Sequence, residues 1–170
     1  MLNIFWKLLG PILNKFSQSL FRVFTKYVLS LKGIVIDGSP LWISPQTYFD
    51  TSGEAKIFLG DRCVISHGVK ILTHDFSLDR HYERVQGITK NELYRKDDVH
   101  IGKQCFIGMG CIILPGVSIG DGAIVAAGSI VTKNVENDSV VAGNPARRLC
   151  TSDELWARSG HKYFKKSRRR

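Results

Sequence analysis

A chain of 170 residues with ordinary apolar content supports one domain with terminal appendages. Its four cysteines contain no CxxC pair, which argues against a disulfide framework and against a zinc site and places the chain in a reducing, cytoplasmic setting. The net charge of +9 sits at the ends. Residues 1–36 carry five cations and no acid, residues 147–170 carry nine cations against Asp153 and Glu154, and residues 37–146 are mildly acidic. Basic ends on an acidic middle suit an anionic surface: membrane lipid, a phosphorylated ligand or nucleic acid.

Residues 2–31 have a helical pattern. Phe5, Leu8, Leu9, Ile12, Leu13, Phe16, Leu20, Phe24, Tyr27, Val28 and Leu31 form one stripe at three-and-four spacing, with Lys15, Ser19, Arg22 and Lys26 largely away from it. Gly10-Pro11 is the expected break, with Pro11 suited to a first-turn position. No uncharged apolar run approaches the ~20 residues that span a bilayer, and no small-residue cleavage site follows an apolar core. Residues 1–32 therefore read as an amphipathic helical segment with two uses. One is an interfacial membrane helix with Trp6 and several Phe on its apolar face; the other is a helix packed on the rest of the chain or on a neighbouring subunit.

From Gly33 the pattern changes to strand, with Ile34, Ile36, Trp42, Ile43, Tyr48 and Phe49 in irregular first coils. A period of six then emerges. It is legible at Leu59-Gly60-Asp61-Arg62-Cys63-Val64, continues to Ile71-Leu72-Thr73-His74, and stops. Residues 75–98 are polar, charged and off-period, which predicts a protruding loop; an insertion of that length in a compact repeat is usually functional. The repeat resumes and runs without a slip through Ile101, Ile107, Ile113, Ile119, Val125 and Val131. Four places after each of these stands a smaller residue: Cys105, Cys111, Val117, Ala123, Ser129 and Val135. Neither an amphipathic helix nor a hairpin meander has this period. It predicts a solenoid in which each hexad makes one short strand and a turn, three hexads close a triangular coil, and the aliphatic points inward. Cys63, Cys105 and Cys111 fall at the small inward position, where a thiol acts as a small hydrophobe. Pro145 in Val141-Ala142-Gly143-Asn144-Pro145-Ala146-Arg147 ends the strand pattern. Residues 152–166 suit a short helix capped by Thr151 or Ser152, and the final basic run suits a mobile tail. The organisation is thus 1–32 helical, 33–150 solenoid with loop 75–98, and 151–170 helix and tail.

His74 is the outstanding candidate for chemistry, standing between Thr73 and Asp75 where the repeat breaks. His67 and His100 fall at outward positions within hexads, and nothing specific supports His81 in the loop. There is no GxSxG and no phosphate loop. Gly108-Met109-Gly110 lacks the helix a dinucleotide turn requires. Nucleic-acid binding by the basic tail is disfavoured, since the tail has no interleaved aromatics.

Together the hexads, the Thr73-His74-Asp75 break, the inserted loop and the ending Val141–Arg147 resemble the hexapeptide-repeat acyltransferases. Within them they are similar to the galactoside, maltose and nodulation-factor O-acetyltransferases and to the related capsule and lipopolysaccharide enzymes. The resemblance spans about residues 34–150, with its most specific motifs in 99–147. It implies an all-β solenoid, a left-handed parallel β-helix, assembled as a homotrimer with active sites between subunits. It also implies acetyl-CoA as co-substrate, no metal, and His74 as the general base. Met109, Ala127, Thr132 and Lys133 match cofactor contacts, and Arg147 matches a basic residue near the cofactor phosphates. Phe106 departs from the usual Trp, and Cys150 stands where some members have a second Arg. The implied activity is O-acetylation of a sugar hydroxyl in surface polysaccharide or lipopolysaccharide synthesis. An antibiotic hydroxyl as acceptor and a non-catalytic scaffold are the alternatives.

Overall fold

The computed structural model describes residues 2–88 and 90–165; the last basic residues, from 166 onward, lie outside the described residues. The chain opens with two helices, α1 (Leu2–Phe16) and α2 (Gln18–Leu31). The break falls at Ser17 and not at Gly10-Pro11, which α1 passes through. The Ser17 hydroxyl accepts from the Leu20 N–H at 3.4 Å, an N-cap, and α2 begins there because the cap satisfies an otherwise orphaned donor.

The strands then wind in coils. The first holds β1 (Val35–Ile36), β2 (Trp42–Ile43) and β3 (Tyr48–Phe49); the second holds β4 (Ile57–Leu59), β5 (Val64–Ile65) and β6 (Lys70–Ile71). The loop follows, with β7 (His74–Asp75), α3 (Asp79–Gln86) and β8 (Arg95–Lys96). The third coil is β9 (Val99–Ile101), β10 (Phe106–Ile107) and β11 (Ile112–Ile113). The fourth is β12 (Ser118–Ile119), β13 (Ile124–Val125) and β14 (Ile130–Val131). Successive strands visit three sheets in rotation, ordered β1-β4-β9-β12, β2-β5-β10-β13 and β3-β6-β11-β14, and all these pairs are parallel. This arrangement fits the β-helix expected from the hexads. Among the described residues four α-helices attach to the coils, the loop helix α3 among them unexpected, and two antiparallel hairpins add to the parallel strands, so the all-β description holds for the coils alone. One hairpin pairs β15 (Ser139–Gly143) with β16 (Ala146–Thr151), turning at Pro145 as expected and leading into α4 (Ser152–Ser159). Thr151 caps α4 in a reciprocal pair with Glu154, and the helix is shorter than its sequence suggested.

The register explains the period. Ile107 lies beside Ile65 on one side and Val125 on the other, and Ile113 lies between Ile71 and Val131. Each inward aliphatic from Ile101 to Val131 is buried, as are Cys105, Cys111, Val117, Ala123, Ser129 and Val135. Parallel strands stack ~4.8 Å apart, so each side chain packs on its equivalent one coil away. That spacing leaves no room beside certain turns. A Cβ added at Gly108 would sit 2.5 Å from the Ala127 nitrogen and 2.7 Å from the Val125 carbonyl oxygen of the next coil. At Gly110 a Cβ meets nothing within 4 Å, but φ is +71°. Gly108→Ala is therefore expected to cost about 2–3 kcal/mol, because backbone must move. Gly110→Ala should cost only about 1 kcal/mol, from left-handed strain. Denaturant unfolding of the two variants tests the order.

The helical pair closes the first coil. Trp6, Phe21, Val28 and Leu29 are buried; Phe21 packs against Trp42 at 4.8 Å between centroids and Trp6 against Phe49 at 6.3 Å. Trp6 is thus a core residue, its indole N–H donating to the Thr25 hydroxyl at 3.2 Å, and not part of an outward apolar face. Most of the stripe read from the sequence points the other way: Phe5, Leu8, Ile12, Phe16, Leu20, Tyr27 and Leu31 are exposed, and only Val28 is buried. The helices are apolar on two sides, so a single stripe did not identify the inward one.

Candidate active site

Residues 72–76 leave the coil at the end of β6. Thr73 is buried, and its N–H donates to the Asp50 carboxylate at 3.0 Å, one coil below. The chain then turns out into β7, which pairs with β8 and sets His74 opposite Lys96. This hairpin anchors the excursion whose tip carries α3. That helix was not foreseen: Asp79–Gln86 has no apolar stripe and holds instead through its polar groups. Asp79 accepts from the Leu93 N–H at 2.7 Å, and Arg80 bridges to Glu83 one turn on.

The His74 side chain is about one-third exposed, and its Nδ1 lies 2.5 Å from Oδ2 of Asp50. Asp50 is buried and collects donors from both flanks. Oδ2 accepts from the Thr73 N–H and from the Thr73 hydroxyl, each at 3.0 Å; Oδ1 accepts from the Ser52 hydroxyl at 2.7 Å and from the Ser52 N–H at 3.4 Å. Burial pushes this carboxyl up. The hydrogen bonds from Thr73 and Ser52 outweigh burial and hold the group down at about 2. An ionised carboxylate only accepts, so the ring turns an N–H at Nδ1 toward it, and in the neutral imidazole the lone pair is then on Nε2. The Ser52 hydroxyl, 3.4 Å from Nδ1, is the weaker partner.

The imidazole borders a cleft of about 400 Å³ lined by Ser52, Glu54, Phe76, Glu92, Tyr94 and Lys96 among others. Phe76 meets the His74 ring edge-on at 5.3 Å and stacks with Tyr94 at 5.2 Å, so the two aromatics make one wall. Lys96 pairs with Glu54 at the rim. Asp50, Phe76 and Tyr94 were missed in the sequence. The first had no motif of its own, and the other two looked like ordinary loop residues.

The remaining candidates divide between two edges of the coil. Met109 and Ala127 are exposed and sit at stacked turns, where the Gly128 N–H donates to the Met109 carbonyl at 2.8 Å. Thr132, Lys133 and Arg147 are exposed farther along the solenoid; Lys133 and Arg147 share a cleft of about 270 Å³ with Arg148. No described cavity within the chain joins His74 to these five residues. Cys63 and Cys105 are buried, and burial pushes their thiols up to about 12 and about 11, which removes them as nucleophiles. Among the described residues no cluster of His, Cys, Asp or Glu has the form of a metal site. His67 accepts or donates at 2.7 Å with the Ser44 hydroxyl, and His100 stacks on Phe58; neither borders the His74 cleft.

The coil of hexapeptides resembles the hexapeptide-repeat acetyltransferases, and the comparisons bear out that resemblance. Residues 98–133 match the family model described as the hexapeptide repeat of succinyl-transferase. A hexapeptide-repeat-containing acetyltransferase from Vibrio cholerae is similar at 28% identity and a TM-score of 0.52, over 69% of this chain and 62% of that one, so the chain spans less than two thirds of its length. A complex of the Vibrio cholerae O1 biovar eltor acetyltransferase with acetyl coenzyme A gives 21% identity and a TM-score of 0.56, over 75% and 77%. A galactoside acetyltransferase in complex with coenzyme A gives 24% identity and a TM-score of 0.58, over 83% and 76%. No curated protein matches the chain.

Proposed function

We propose that this protein is an acetyl-CoA-dependent O-acetyltransferase acting on a sugar hydroxyl, built on a left-handed β-helix and working as a homotrimer in the cytoplasm, in surface polysaccharide or lipopolysaccharide synthesis. The observation that carries the reading is the His74–Asp50 pair: a ring fixed through Nδ1 on a buried carboxylate, bordering an open cleft with an aromatic wall. Nε2 takes the proton of an acceptor hydroxyl as its oxygen attacks the thioester carbonyl. The carbon–sulfur bond breaks, the thiolate leaves, and the proton on Nε2 passes to it, giving the O-acetyl ester and free CoA. Asp50 stabilises the imidazolium between the two transfers. Backbone N–H groups at a coil edge supply donors to the developing oxyanion. No acyl-enzyme is needed when both substrates meet in one cleft. Sugar rings suit the Phe76–Tyr94 wall, and Glu54 and Glu92 offer acceptors for their hydroxyls.

Coenzyme A in two of the similar structures supports acetyl-CoA as the donor here. Its pantetheine arm runs past Met109 and Ala127, and its phosphates fall to Lys133 and Arg147, with Thr132 beside them. That none of them lines the His74 cleft fits sites completed by a neighbouring subunit. Lys133→Ala and Arg147→Ala are each expected to weaken acetyl-CoA binding by about tenfold, since each removes one charge-assisted phosphate contact. Acetyl-pantetheine, which lacks the nucleotide phosphates, should bind both variants like the parent; calorimetry with the two donors checks it. The whole reading is tested by thiol release from acetyl-CoA with a panel of sugars, nucleotide-sugars and lipid-linked glycans. Acceptor-dependent release supports it, and failure to bind acetyl-CoA at all overturns it.

A further inference from the structure

We propose that the outer face of the α1–α2 pair is a docking surface for an anionic lipid bilayer, and that it holds the His74 cleft near that surface. One side of the pair is spent on the first coil, through Trp6, Phe21, Val28 and Leu29. The other side keeps large apolar side chains in solvent. Ile4, Leu8 and Ile12 of α1 and Leu20, Val23 and Tyr27 of α2 are each more than half exposed. Their i, i+4 and i, i+3, i+7 spacing sets them along one side of each helix, and large apolar residues exposed in rows mark an interaction surface.

Charge selects the occupant. Lys7, Lys15, Arg22, Lys26 and Lys32 lie in the same segment, and residues 1–36 contain no acid. Lys7 and Lys15 are exposed beside the apolar residues. A second copy meeting this face by two-fold symmetry would set Lys7 and Lys15 against the same two lysines with no acid in the segment to answer them, which opposes association. An anionic bilayer meets both features: the apolar side chains enter the boundary between headgroups and acyl chains, and the lysines meet the lipid phosphates. No helix among the described residues is long and apolar enough to cross a membrane, so the contact is in the plane of the surface.

The placement also bears on the acceptor, and here the inference rests on the proposed acetyl transfer. His74 leaves the second coil, one coil from the helices. One coil spacing of ~5 Å and a helix diameter of ~10 Å put it roughly 15 Å from the docking face. A sugar carried on a lipid phosphate would have to bridge that distance to meet Nε2.

Flotation of the full chain with phosphatidylcholine vesicles, with and without phosphatidylglycerol, tests the docking and does not depend on catalysis. The protein is expected to float with the anionic vesicles, to stay below with pure phosphatidylcholine, and to be released as salt shortens the Debye length from about 10 Å. The Leu8→Glu/Val23→Glu variant should lose at least about tenfold in vesicle affinity with unchanged acetyl-CoA binding. Lys7→Gln/Lys15→Gln keeps the apolar face and should weaken binding to anionic vesicles alone. Parent protein that does not float with phosphatidylglycerol, or a glutamate variant that floats like the parent, overturns the proposal. If the parent stays below and the glutamate variant lowers the mass seen by light scattering, the face is a subunit contact and the proposal is wrong. An inactive thiol-release assay with intact flotation leaves the docking standing and removes only its link to the acceptor.

Discussion

His74→Ala is expected to lower kcat/KM for acetyl transfer by about 10³-fold while leaving acetyl-CoA affinity unchanged. The loss is large because nothing else in the cleft replaces Nε2. The lining offers Glu54, already paired with Lys96, and Glu92, neither of which is held by a buried partner as His74 is. The affinity should survive because Lys133 and Arg147 belong to a different cleft. The fold should survive too. Removing the ring takes one donor from Asp50 but leaves the N–H and hydroxyl of Thr73 and of Ser52 on its two oxygens. A variant that keeps its melting temperature and its acetyl-CoA binding but not its turnover identifies the base. Full turnover in that variant would remove His74 from the mechanism and restore the scaffold reading.

The coil was readable in advance because a period of six dictates which side chains face in. Ile101, Ile107 and Ile113 recur at the same point of successive faces, so burial of one implies burial of the others, and Cys105 or Ala123 must be small because the axis is crowded. The helices were less readable. Their period locates a stripe but not what the stripe faces, and with Trp6 and Leu29 on one side and Leu8 and Tyr27 on the other, both sides are apolar. His74 was visible because it interrupts a strict repeat. Asp50 was not, because its partners Thr73 and His74 stand far along the chain, across a coil. The signal existed only in the register. Once Phe49 pairs with Ile71, Asp50 falls beneath the turn that carries Thr73 and His74. The loop's helix went unseen for a related reason: its stabilising contacts are Arg80 with Glu83 and Asp79 with the Leu93 N–H, and neither makes a hydrophobic period. The five cofactor candidates came from motifs, and a motif does not say which edge of a coil meets which.

Asp50→Asn separates the two tasks assigned to that carboxylate, holding the ring and holding the turn. The amide keeps one oxygen, and the Thr73 N–H at 3.0 Å is the donor with most to lose, so the oxygen should stay toward Thr73 and Nδ1. Nε2 then remains the base, but the imidazolium formed during transfer no longer faces a negative charge. Turnover is expected to fall by roughly 10²-fold, less than for His74→Ala, with acetyl-CoA affinity unchanged. On the other side of the side chain, the amide N–H₂ meets the Ser52 N–H, and two donors face each other. The stability change follows the ionisation of the parent. Asp50 is held at about 2 against an ordinary 3.8, so the folded state binds its proton less readily than the unfolded chain does. That preference contributes about 2 kcal/mol above pH 4, and it is lost as pH falls from about 4 through about 2. The amide of the variant has no such titration. The gap in unfolding free energy between parent and variant should therefore be widest near neutral pH and should narrow by about 2 kcal/mol toward pH 2. Denaturant unfolding at a series of pH values reads the gap directly. A gap that stays constant across the acid range would show that the carboxylate is not held ionised by Thr73 and Ser52, and the tautomer assigned to His74 would lose its basis.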